Sequence, residues 1–214
     1  MSKLKSFIPL KLLFAIAEFF ILAIFAILPA ITIYIDIVIL DNGVGEISIT
    51  EISQETFLFI SAMIFWYGAY KKPTMRGFLV LVAGFFTAMF IREMDAFLDE
   101  ISHGFWFYLA LPFSLFVIFY AYYFAKGTTL KHLLEFINTK PFFLLLCGLI
   151  ILLILSRTFG SGGLLWDNLL PHEYSSLTKT AIQEALELFG YSFILYGSVV
   201  FYYRGFVSYI TKAS

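Results

Sequence analysis

The sequence predicts an all-α membrane protein, a six-transmembrane-helix bundle with both termini cytoplasmic. Three observations carry that prediction: the composition, the series of long apolar runs, and the side on which basic residues recur. Of 214 residues, 61% are hydrophobic and 14% are charged, where a soluble domain carries about 25% charged residues. Several apolar runs approach or exceed the roughly 20 residues that a helix needs to cross hydrocarbon. Chain length and the absence of an internal repeat fit a single integral membrane domain over residues 1–214.

A short basic leader with Lys3, Lys5 and Lys11 precedes the first span, residues 12–40. That run is longer than a bilayer requires, so it must tilt, kink at Pro29 or protrude. An acidic loop over residues 41–55 carries Asn42-Gly43 as its turn signal. The second span, residues 57–70, is short and is closed by Lys71-Lys72-Pro73. The third runs over 77–97 and the fourth over 105–124. A basic connector, 126–140, leads to the fifth span, 141–159, and residues 181–203 form the sixth. Short helices are expected in 46–54 and 164–180. Cys147 lies within an apolar run and reads as a small packing residue.

Charge sets the orientation. With the amino terminus in the cytoplasm, only Arg92, Arg157 and Lys179 of the fourteen basic residues fall on the outer side. The bias recurs at every inner segment, as the positive-inside rule requires. Carboxylates do the reverse: of fifteen, only Glu18 and Glu135 lie in the inner half. The expected location is a bacterial inner (plasma) membrane, with the lipid bilayer as partner. A net charge of −1 and the lack of a basic cluster argue against a nucleic-acid partner.

Residues 91–103 concentrate the polar chemistry. On one continuous helix, Arg92, Asp95, Asp99 and His103 fall within about 80° of each other, and Glu93 and Glu100 share a neighbouring face. At 1.5 Å per residue, Arg92 lies about 22 Å and Arg157 about 24 Å from the inner boundary, while Glu184 and Glu187 lie about 5–9 Å below the outer start of the sixth span. In a core about 30 Å thick these groups share the outer third. Glu184 and Glu187 also share a face with Tyr191, a polar stripe expected to point into the bundle. Gly190 and Gly197, on another face, suit a close helix approach.

Intramembrane charges pair, line a wet cavity or perform chemistry. Asp95, Asp99, Glu184 and Glu187 are therefore the candidate acid/base residues. Arg92, Glu93, Arg157 and Tyr191 are the candidate binding and charge-pairing residues. A divalent metal ion is a conceivable cofactor, with Asp99, His103, Glu184 and Glu187 as ligands and His172 as a further donor. The expected function is a charged site acting on a lipid or lipid-linked substrate, by acid/base or metal-assisted chemistry. The competing expectation is a structural or accessory protein whose charges only fix helix packing, which leaves enzymatic activity open. Transport would need polar groups continuing inward, where the sequence offers only Glu18 and hydroxyls. Glu18 is expected to pair with a lysine or a hydroxyl across the bundle.

Overall fold

Five stretches are long and apolar enough to cross a membrane: Leu12–Ile39, Pro73–Glu93, Phe105–Tyr123, Lys140–Gly160 and Ser176–Tyr202. They belong to a computed structural model that describes residues 10–45, 47–169 and 176–203, and among the described residues every regular element is helical. This is an all-α, membrane-type fold. Residues 1–9, with Lys3 and Lys5 of the leader, His172, Glu173 and the carboxy-terminal residues from Arg204 lie outside the described residues.

The first helix, α1 (Leu10–Tyr34), passes through Pro29 and then widens into a π turn, Ile35–Ile39. The widened end buries Asp36 completely. A loop with left-handed backbone at Asp41 (φ 51°) and Gly43 (φ 67°) returns the chain to α2 (Ile49–Lys71). Ser48 caps α2 through its side chain, which accepts from the Glu51 N–H at 3.2 Å. The short helix expected in 46–54 and the second span expected over 57–70 are therefore parts of one 23-residue helix. At about 34 Å it is long enough to span, although its polar first turns keep it out of the five most apolar stretches.

Helix α3 (Arg76–Glu93) ends earlier than the sequence suggested. Met94 breaks it (φ −81°, ψ 19°), a single turn α4 (Asp95–Asp99) follows, and Gly104 takes a left-handed conformation (φ 77°). The Asp99 carboxylate accepts the Gly104 N–H at 2.8 Å, a local hydrogen bond that competes with helix continuation. Residues 91–103 are thus not one helix, and the expected common face of Arg92, Asp95, Asp99 and His103 does not form.

The chain continues through α5 (Phe105–Tyr123), α6 (Leu130–Phe136) and α7 (Lys140–Ile150). A π turn, Ile151–Leu155, joins α7 to α8 (Ser156–Gly160). A further π turn, Gly162–Trp166, leads into α9 (Asp167–Leu169), which falls in the region where a short helix was expected. The last helix is α10 (Ser176–Tyr202).

Packing runs in a row. Helix α3 packs between α2 and α5, while α10 packs between α2 and α7 and carries α1 on a further side. Leu58 and Phe65 of α2, Leu79 and Phe86 of α3, Leu152, and Leu188 and Ile194 of α10 form the buried core. Helices α1 and α5 are peripheral and turn Phe14, Phe19, Phe20, Phe116 and Phe119 outward. A helix that is apolar all round and open outside is stable only where hydrocarbon replaces water.

Helices α7 and α10 meet backbone to backbone. A Cβ on Gly190 would lie 2.9 Å from the Gly148 carbonyl oxygen and 3.2 Å from the Leu152 nitrogen. Only glycines permit such an approach, and this contact brings α8 against α10.

Candidate functional site

Four elements converge at one end of the bundle. Helix α2 supplies Gln54, α3 supplies Arg92 and Glu93 from its last turn, α8 supplies Ser156 and Arg157, and α10 supplies Gln183, Glu184, Glu187 and Tyr191.

Helical phase explains why Arg157 reaches the site. Gly148 faces α10, and on an uninterrupted α-helix a residue nine positions later would point about 180° away. The π turn at Ile151–Leu155 inserts roughly one extra residue and takes up about 100° of that rotation. Ser156 consequently becomes fully buried, and Arg157 swings to within 3.5 Å of Glu187.

Glu187 is the best enclosed carboxylate of this cluster, with its side chain 4% exposed. Its Oε1 accepts from the Gln183 amide at 3.0 Å and from the Ser156 hydroxyl at 3.4 Å, beside the Arg157 guanidinium. Glu93 pairs with Arg92 and accepts the Tyr191 hydroxyl at 2.7 Å, with the tyrosine itself wholly buried. The two halves are coupled, since Glu93 lies within electrostatic reach of both Arg157 and Glu187.

Glu184 differs. Its Oε2 accepts from the Gln54 amide at 3.0 Å, and the same amide also donates to the Glu184 main-chain carbonyl at 3.1 Å. Among the described residues no guanidinium or ammonium lies within 4 Å of it. Two arginines therefore face three carboxylates, and Glu184 is the one left to an amide.

Of the residues expected to point into the bundle toward Arg92 and Arg157, Glu187 lies beside Arg157 and Tyr191 meets Arg92's partner Glu93, whereas Glu184 meets Gln54 in place of an arginine. Three partners were not anticipated: Gln54, Ser156 and Gln183. Gln183 had a legible signal, because it precedes Glu187 by one turn on the same face. Gln54 lay ahead of the span boundary drawn from hydropathy, and Ser156 depends on the π turn.

Asp95, Asp99 and His103 stand apart. Asp95 is exposed at the start of α4. Asp99 contacts His103 at 3.0 Å, with the imidazole fully open. Helix α4 packs on α5 and on the end of α3, and among the described residues no polar contact links it to Glu184 or Glu187. The four expected metal ligands are thus divided between two places, and among the described residues no group of three or more His, Cys, Asp or Glu side chains is arranged to hold a metal ion. His172 lies outside the described residues.

Two further polar contacts are remote from this cluster. Glu18 of α1 pairs with Lys140 at the start of α7, one of the partner types the sequence suggested for it. Asp36, which the sequence reading passed over, accepts from the Ile49 N–H at 2.7 Å, the Thr50 N–H at 2.9 Å and the Thr50 hydroxyl at 2.6 Å. It satisfies the first amides of α2 from thirteen residues upstream. No family model, curated protein or solved structure matches the chain.

Proposed function

We propose that this chain is a six-span protein of a bacterial inner (plasma) membrane, with both termini in the cytoplasm, α2 counting as the second span. Its cluster of Arg92, Glu93, Arg157, Glu184, Glu187 and Tyr191 then lies in the outer third of the bilayer. We further propose that this cluster is an acid/base centre acting on a lipid or lipid-linked substrate, with Glu184 as the proton-exchanging group.

The observation that carries the reading is the distribution of partners. Glu93 and Glu187 are each held by an arginine, so protonating either would sacrifice an ion pair. Glu184 is held by Gln54 and can gain or lose a proton without breaking one. General acid/base catalysis needs a group of that kind, fixed by oriented neighbours. Arg92 and Arg157 orient the two ionised carboxylates beside it.

A packing role is the second reading, and one observation favours it. Each contact joins different helices: Tyr191 to Glu93 links α10 with α3, Arg157 to Glu187 links α8 with α10, and Gln54 to Glu184 links α2 with α10. Infrared difference spectroscopy on the purified protein separates the two. An acid-induced carboxyl band absent in Glu184→Gln and kept in Asp99→Asn supports the acid/base centre, and a spectrum unaffected by Glu184→Gln leaves only the packing role. Topology has its own check. Reporters fused after Ser214 and within residues 41–55 must appear on opposite sides, cytoplasmic and external, and the same side for both would overturn the span count.

A further inference from the structure

A second candidate site lies at the other end of α3. Helices α2 and α5 both pack on α3, and the space between them forms a trough of about 470 Å³. That is within the ~300–1,000 Å³ range of small-molecule sites. Trp66, Ala69, Val80, Phe113, Val117 and Tyr120 line it, so its body is apolar. Among the described residues its one charged lining residue is Arg76, at the first position of α3.

The trough is held open at defined points. Gly84 lets Val117 close against α3 farther along the helix, where a Cβ would lie 2.5 Å from Val117 Cγ1. Trp66 is fixed by a hydrogen bond from its indole N–H to the Thr87 hydroxyl at 2.9 Å. Arg76 is fixed by donation from Nε to the Ala69 carbonyl at 3.2 Å. Among the described residues no acceptor takes its two terminal amino groups.

The surroundings of Arg76 share its sign. Lys71 sits 5.2 Å from the Tyr70 ring centre, Lys126 sits 5.3 Å from that of Tyr122, and Lys72 precedes the turn into α3. No Asp or Glu occurs between Glu55 and Glu93 or between Glu100 and Glu135. This end of the trough is cationic, without a carboxylate from the segments that form it.

We propose that the trough binds an anionic glycerophospholipid, one acyl chain lying between α2 and α5 and the phosphate seated on Arg76. An apolar channel ending in a guanidinium matches an amphiphile with an anionic head, and guanidinium groups engage phosphate through two parallel hydrogen bonds. The surrounding lysines add an attraction that does not depend on that geometry. The site is independent of the charged cluster at the far end of α3.

Trp66 supplies the readout. The protein is reconstituted in phosphatidylcholine vesicles containing increasing fractions of brominated phosphatidylglycerol or, separately, brominated phosphatidylcholine. The quenching that disappears in Trp66→Phe reports trough occupancy. Brominated phosphatidylglycerol should quench this component at about tenfold lower fraction than brominated phosphatidylcholine, and Arg76→Gln should remove the preference. Lys71→Gln should keep most of it. Equal quenching of the wild-type protein by the two lipids overturns the proposal, as does a preference that survives Arg76→Gln unchanged. If Arg76→Gln does not fold, Arg76→Lys decides: a reduced preference supports the bidentate seat, and an undiminished one overturns it.

Discussion

Replacing Asp36 by alanine should destabilise the protein more than replacing any carboxylate of α4. Asp36 is fully buried, and its two oxygens receive three hydrogen bonds from Ile49 and Thr50. The consequences differ by donor. Ile49 is 37% exposed, so its freed N–H can turn to the surroundings, and the loss there is about 0.5–1.5 kcal/mol. Thr50 is fully buried, so its N–H would remain without a partner, at about 1–3 kcal/mol. The hydroxyl rotates and adds less, while the shortened side chain leaves a small void. The total is about 2–5 kcal/mol. At about 2–4 °C per kcal/mol for a chain of this size, the thermal midpoint should fall by roughly 10 °C. Thr50→Val, which deletes only the hydroxyl, should cost about 1 kcal/mol. Asp99→Ala is the milder comparison, because its imidazole partner is fully open to the surroundings, exposed pairs contribute little, and the Gly104 N–H is the one main-chain donor it gives up. The assay is thermal unfolding in detergent followed by tryptophan fluorescence. If Asp36→Ala shifts the midpoint no more than Asp99→Ala does, the cap is not what anchors α2, and the reasoning fails.

Three further tests address separate parts of the fold. Gly190→Ala places a methyl group against the Gly148 carbonyl and the Leu152 nitrogen, backbone atoms that cannot rotate away; a loss of about 1–3 kcal/mol is expected in the same unfolding assay. Glu18→Leu or Lys140→Leu alone should each cost about 2 kcal/mol, and the double variant should recover more than half, because the cost lies in stranding the other charge; additive losses would show that the pair is not coupled. Arg92→Ala should lower the midpoint well beyond Asp99→Ala, since it removes the ion-pair partner of Glu93 and leaves that carboxylate with the Tyr191 hydroxyl as its hydrogen-bond donor. Equal shifts for those two variants would place Asp99 within the packing network.

The sequence alone determined that the protein is helical and suited to a membrane, because apolar runs of span length with so few charges have no other stable solution. It also determined the inward face of α10, since Glu184, Glu187 and Tyr191 fall on one side of any helix drawn through them. Depth counted from span boundaries placed Arg92, Arg157 and those glutamates at one level, and the structure joins them in one cluster. Three-dimensional packing decided the rest. Periodicity cannot reveal a π turn, so it could not show that Ile151–Leu155 would rotate Arg157 by about 100° toward Glu187. Nor could it foresee that Met94 would end α3 and that the chain would turn before Gly104, leaving Asp99 on α4 and His103 in the turn after it, away from α10. Asp36 read as one carboxylate at the end of an apolar run because its donors lie beyond a turn, at Ile49 and Thr50. Local sequence fixes which face a residue takes within one helix, whereas the phase between helices depends on breaks, wide turns and close contacts that exist only once the helices have packed.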